Sequence, residues 1–302
     1  MRKIIRFVCA CLCICALIGG MVAAFVIDSH EGDAKDEELS MLTLWQIDSF
    51  EGGTGSRADY LRAVAEQFSA GRQLYIEVTS LTAVAARQNL ENGVVPDIIS
   101  YGAGFYGIES IVKGSPEVWC MGAYCMISLN NADFGAATAE NTVINSGRDN
   151  LSCAAALFRG VYGADASAPT SAYVQLINGE YDYLLGTQRD IQRLKTRNVN
   201  FYVEPVTQFN DLYQYIAVLS QNAYKASVAD EFIVYLLSQW QTLTKLSMLS
   251  VGNSLYSDRL HVLEVQYEYG LPAVAGREAI EKIMTAIRAE DINLLKSLLK
   301  PL

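Results

Sequence analysis

Apolar residues recur along this chain at two periods that take turns. Met41 to Ile47 is an apolar run that predicts a strand, and Ala58 to Phe68 then places Leu61, Val64, Ala65 and Phe68 on one helical stripe. A strand at Leu74 to Thr79, a helix at Thr82 to Leu90 and a strand at Pro96 to Tyr101 follow, the last beginning at a proline, where a missing N–H matters least. Such spacing predicts an α/β fold whose parallel sheet is covered on both faces. Gly102, Gly104, Gly107 and Gly114 interrupt the passage from Gly102 to Asn131, which reads as a crossover without a long regular element. Further on, Ser152 to Tyr162 predicts a helix and Tyr181 to Leu185 a strand, and Thr187 with Asp190 has the spacing of a capping box. Phe201 to Val206 and Leu212 to Leu219 read as two strands or as a strand and a linker. The rest predicts helix: Val228 to Trp240 aligns Phe232, Leu236 and Trp240, and Ala279 to Leu299 carries Ile280, Ile283, Ile287, Ile292, Leu295 and Leu299.

The N-terminus follows another pattern. Arg2, Lys3 and Arg6 precede Phe7 to Ile27, 21 residues without a charge, a run that as a helix spans roughly 30 Å, the thickness of a bilayer core. Residues 1–27 are therefore expected to be a signal peptide or an uncut membrane anchor, and 28–40 an acidic tether. The basic flank predicts that everything beyond Asp28 lies on the extracellular side. With 302 residues, 51% of them hydrophobic, the chain can bury a large core, and its net charge of -10 argues against a nucleic-acid partner. Cys9, Cys11, Cys13 and Cys15 fall in the apolar segment; Cys120, Cys125 and Cys153 remain, an odd set in which a Cys120–Cys125 bridge is open. The only histidines, His30 and His261, have no ligand at metal spacing, so no metal site is expected.

Candidate chemistry concentrates after the first strand. Gly53-Thr54-Gly55-Ser56-Arg57-Ala58 fits a dinucleotide fingerprint, but Asp48 to Gly52 separates it from the strand and Glu77, where an acid should meet a ribose, falls inside its own strand. No Gly-Lys-Ser/Thr follows for a P-loop. Two readings stand together: Ser56 caps the helix, and the backbone N–H groups of Gly53 to Arg57 face a cleft and receive an oxygen-rich ligand. Catalytic machinery is thin, since a histidine-based engine would rest on His261 alone and the carboxylates Asp48, Glu51 and Asp97 have no spacing that fixes a pair. No enzyme and no cofactor are expected.

IDSFEGGTGSRADYL, NLENGVVPDIISYG, WCMGAY, LLGTQRDIQRL and ADEFIVYLLS, in this order over most of residues 42–250, carry a resemblance to the family 1 extracellular solute-binding proteins of bacterial ABC importers, in their Gram-positive form. The resemblance implies the two-lobed periplasmic-binding-protein-like II fold with a hinge. Lobe 1 would comprise residues 41–118 and 206–250, and lobe 2 residues 119–205 and 251–302. It further implies a small polar ligand, a sugar above all, held between the lobes and passed to an ABC permease in the membrane. The ligand set would be Glu51, Gly53, Thr54, Gly55, Ser56 and Arg57 in the first-lobe loop, Tyr101 after the third strand, Trp119 and Tyr124 near the hinge, and Gln188 and Arg189 from the second lobe. Core packing accounts equally for Trp119 and Tyr124, and a surface ion pair for Arg189. The chain departs from the family in lacking a lipobox and in a second lobe that reads as shortened between Asn131 and Tyr181. These departures motivate an alternative, a sensory or structural partner that reuses the binding-protein fold.

Overall fold

β1 (Ser40–Ile47) has no proline or glycine, and it buries Leu42, Leu44, Trp45 and Ile47 in the core. It is the first element of a computed structural model that describes residues 40–48, 55–145 and 153–302. The N-terminal apolar segment, the tether up to Leu39, and Glu51, Gly53 and Thr54 lie outside the described residues. Among the described residues, no helix is long and apolar enough to cross a membrane.

After β1 come α1 (Arg57–Ser69), β2 (Leu74–Leu81), α2 (Ala83–Glu91), β3 (Ile98–Gly102), β4 (Lys113–Met121) and β5 (Tyr124–Ser128). Next are β6 (Thr142–Ile144), α3 (Cys153–Arg159), β7 (Asp165–Ala166), α4 (Pro169–Ile177), β8 (Tyr183–Thr187), α5 (Gln188–Thr196) and β9 (Tyr202–Pro205). β10 (Tyr213–Val218), α6 (Ala223–Ser238), β11 (Tyr269–Gly270), α7 (Arg277–Arg288), α8 (Ile292–Leu298) and β12 (Lys300–Pro301) complete the chain. Local signals set the helix starts. Ser56, Thr82, Asn222 and Asp291 each accept a backbone N–H of the turn they open. At α5 the capping box is formed, with the Thr187 amide donating to Asp190 Oδ2 at 3.1 Å.

Ten of the twelve described strands assemble into two five-stranded sheets, β2-β1-β3-β10-β4 and β7-β6-β8-β5-β9, and β11 pairs with β12. The two orders are equivalent. In each sheet a parallel pair, β1 with β3 or β6 with β8, is followed by an antiparallel strand delivered from a distant part of the chain, which then pairs antiparallel with the edge strand. The sheets are thus mixed rather than parallel as expected. The antiparallel members, β10 and β5, arrive through crossings, and apolar periodicity carries no information on strand direction. The glycine-rich passage does hold the crossover, but it also forms β4 and β5, one in each sheet. Phe201 to Val206 and Leu212 to Leu219 both prove to contain strands, again one in each sheet.

Three apolar clusters hold the layers. One packs α1 and α6 on the first sheet through Leu61, Phe68, Ile216 and Phe232; another packs α7 and α8 on the second through Met126, Leu185, Ile283 and Leu295. A third belongs to both sheets, combining Ile99 and Tyr215 with Cys125 and Leu184 and with Met121, Leu249 and Tyr267. The single C-terminal helix expected over Ala279 to Leu299 is instead two helices. α7 ends in a Schellman turn, Glu290 N donating to Ile287 O and Asp291 N to Ala286 O, with Glu290 left-handed at φ 54°. The Cys120–Cys125 bridge is not formed: both are buried thiols, in different core clusters.

Candidate functional site

The chain passes between the sheets at Gly122–Ala123, linking β4 to β5, and at Val206–Leu212, linking β9 to β10. These two links are tied to each other. Gly122 N donates to Leu212 O at 2.7 Å, and Asn210 Nδ2 donates to Gly122 O at 2.9 Å. The amide of Gln188, at the start of α5, completes the junction: its Oε1 accepts Ala123 N at 3.0 Å, and its Nε2 lies 3.4 Å from the Met248 sulfur. Glycine is required at 122 because a Cβ there would stand 2.8 Å from Gln188 Nε2. A further segment joins the layer through the paired backbones of Met121 and Leu249.

Strand alternation gives this layer two faces. Paired residues share a face, so Cys120 lies with Gln214 on one and Met121 with Tyr213 on the other. The Cys120 face adjoins the loop that sequence reasoning singles out. Arg57, buried at the first turn of α1, donates Nε and Nη2 to Asp48 Oδ1 at 3.0 and 2.9 Å and so clamps the end of β1 to the helix start. Gly55 is left-handed at φ +73° and packs near Leu246, and Ser56 Oγ accepts Asp59 N at 3.3 Å. Burial pushes the Cys120 thiol up to about 12, against the nearby Arg57 and with the nearby Asp48. Gln46 and Gln214 are fully buried here, and each keeps a side-chain carbonyl oxygen without a hydrogen-bond partner among the described residues.

The remaining sequence-predicted residues are placed as follows. Trp119 is buried, stacks on Tyr60 at 5.6 Å and donates Nε1 to Ser100 Oγ at 2.9 Å. Tyr124 is buried against Phe209, and its hydroxyl donates to Asp211 Oδ1 at 2.8 Å. Burial raises that carboxyl to about 6, the hydrogen bond from Tyr124 opposing. Tyr101 is buried in a different cluster from Trp119, stacked with Tyr215, and donates to Ala273 O at 3.0 Å. Arg189 is half-buried beside Gln188 at the N-terminus of α5. The fold therefore brings Gly55, Ser56 and Arg57 together at one helix start, and Tyr124 and Gln188 at the crossing. Tyr101 stands apart from both groups.

On the Met121 face lies a cavity of about 900 Å³ between β4, β10 and the 250–254 and 264–267 segments. None of the sequence-predicted set lines it. Tyr213, Tyr215 and Tyr267 wall it with Met121 and Val118. Glu264 holds one rim in place, its carboxylate accepting from the backbone of Leu255 and Tyr256, from Ser254 Oγ at 2.7 Å and from His261 Nδ1 at 2.9 Å. Burial works against that carboxylate's charge, but the four donors win and hold it below its ordinary range. Sequence reasoning passed over these tyrosines. The one available signal was the spacing of Tyr213 and Tyr215 within a predicted strand, which puts both on one face.

No family description and no curated protein matches this chain. Solved structures do. A crystal structure of an ABC transporter protein from Clostridium perfringens aligns at TM-score 0.56 and 11% identity, over 86% of this chain and 100% of its own. The GacH receptor of Streptomyces glaucescens, solved unliganded and with acarbose, aligns at TM-score 0.50 and 14% identity, over 86% of this chain and 96% of its own. A histidine-bound substrate-binding protein of a Streptococcus pneumoniae ABC uptake transporter aligns at 0.46 and 14%, over 75% and 99%, a score too low to bear weight. At these identities the likeness is one of fold alone: the chain shares the fold of the Clostridium perfringens ABC transporter structure and of the GacH receptor.

Proposed function

We propose that the protein is the extracellular solute-binding component of an ABC importer, capturing a small polar solute between two lobes and delivering it to a membrane permease. The observation that carries this reading is the reciprocal exchange of strands: two sheets of equivalent order, each completed by an antiparallel strand that crosses over from the other's part of the chain. The lobes would be residues 41–118 with 206–250, and 119–205 with 251–302, save that β4 keeps Trp119 to Met121 in the first sheet. Open α/β sheets take ligands where strand ends meet helix starts and where two units face each other. The β1–α1 loop around Gly55 to Arg57, at a strand end and a helix start, has this character on the first sheet, and Gln188 and Arg189, at the β8–α5 junction, have it on the second. Glu51, Gly53 and Thr54 belong to the same loop, Trp119 and Tyr124 would act as walls rather than as direct contacts, and Tyr101, buried in a different cluster from Trp119, would act only through the core. A sugar suits the amide, carboxylate and guanidinium groups gathered there. The second sheet, despite its short connections, has the same strand number as the first.

A panel of sugars, amino acids, oxyanions and short peptides, read by thermal unfolding and tryptophan fluorescence, tests the reading. At a hundredfold excess over Kd a true ligand adds about 2.7 kcal/mol, about 5–10 °C for a domain of this size. A panel that leaves both signals unchanged contradicts it.

A further inference from the structure

The tyrosine-walled cavity lies on the opposite side of the crossing layer from the loop just described, and the proposed capture of a solute makes no use of it. Tyr213 and Tyr215 are 7% and 6% exposed. Neither hydroxyl has a hydrogen-bond partner among the described residues, whereas the neighbouring Tyr101 and Tyr267 donate to backbone carbonyls at 3.0 and 2.8 Å. Neither oxygen is among the fully buried, unpartnered side-chain atoms of the described residues, and both tyrosines line the cavity, so whatever occupies the cavity is what pairs with these hydroxyls. Burial, with no compensating hydrogen bond, pushes both phenols up, Tyr215 to about 12, so at neutral pH each hydroxyl is a neutral group that both donates and accepts. The two rings lie 6.2 Å apart at 31°, and Met121 and Val118 stand opposite them on β4. A volume of about 900 Å³ is within the range of small-molecule sites.

We propose that this cavity is a second binding site, for a flat, uncharged ring compound with hydrogen-bonding edges, which packs on the tyrosine rings and pairs with the Tyr213 and Tyr215 hydroxyls. Ring faces and the Met121 thioether favour planar π-systems over puckered ones. Unpaired hydroxyls select a ring with polar edges over a hydrocarbon, because only the former satisfies them. Met121 ends β4 just before one link between the sheets and Tyr213 opens β10 just after the other, so an occupant bears on the strand ends that adjoin both links.

The test uses the full chain labelled with 3-fluorotyrosine and with methyl-¹³C methionine, titrated with adenine, uracil, nicotinamide and indole, and with cyclohexanol as a puckered control. At least one flat heterocycle is expected to shift the Tyr213 and Tyr215 fluorine resonances saturably and to show nuclear Overhauser contact with the Met121 methyl, while cyclohexanol does neither. Tyr213→Phe and Tyr215→Phe remove one oxygen each and should weaken that binding by about 5- to 10-fold apiece. Titrations in which no ring compound moves those resonances, or binding that both substitutions leave untouched, would overturn the proposal; a cavity filled by water alone gives the first result. Because these signals report only the tyrosine face, the outcome is separate from whether a solute binds at Gly55 to Arg57.

Discussion

Asp211 shows how much a single buried group can contribute. Its carboxyl sits at the second crossing with the Tyr124 hydroxyl as its partner, and it titrates near 6 in the fold against an ordinary 3.8. Between those values the folded state holds the extra proton, so the associated stability is fully present below the ordinary value and is lost as pH rises through about 6. The difference corresponds to on the order of 3 kcal/mol. Asp211→Asn keeps an acceptor for Tyr124 and removes the charge. Denaturant titrations should find it more stable than the parent by about 1–3 kcal/mol at pH 8 and no different below about pH 4; equal stability at pH 8 would contradict the buried-carboxylate assignment. Residues such as this were not legible in the sequence, where Asp211 is one acid among 33 Asp and Glu. Trp119 and Tyr124 likewise gave no sign of whether they face a ligand or a core, because burial is decided by elements far away: Tyr60 for one, Phe209 for the other. What was legible was local, such as the Ser56 cap and the Thr187–Asp190 box, whose partners lie within three residues.

Elements were read well wherever their own sequence ends them. α2 begins at the Thr82 cap, and β3 starts two residues after Pro96. The C-terminal helix was read as continuous because its break uses glutamate where a left-handed turn favours glycine. Glu290→Gly should relieve about 1 kcal/mol of backbone strain and raise Tm by about 2–4 °C; a fall in Tm would show that the exposed Glu290 side chain contributes more than its backbone costs. The first crossing depends on the opposite economy, a glycine with no room to spare. In Gly122→Ala the new methyl meets Gln188, which cannot retreat without abandoning Ala123 N. Leaving that amide unpaired costs about 1–3 kcal/mol, to be seen as a lower denaturation midpoint, and an unchanged midpoint would mean that the junction is looser than its hydrogen bonds imply.

For the molecule as a whole, the alternation of strands and helices was enough to foresee an α/β protein, and the glycine-rich passage marked the crossover. The mixed sheets were beyond it, since β5 and β10 pair with strands supplied from far along the chain. So was the apolar cluster shared by both sheets. That shared core bears on mechanism. If the lobes close on a solute, they do so by bending at Gly122–Ala123 and Val206–Leu212 around a layer that stays packed. A ligand favours the closed state only through contacts made to both sheets there. The most direct test places cysteine-independent spin labels at Tyr75 on β2 and Tyr202 on β9, both exposed, and measures the distance between them by pulsed electron resonance, with and without the solute that most raises Tm. Solute capture between the sheets predicts that the distribution shortens and narrows when that solute is added. Superimposable distributions in its presence and absence would contradict it.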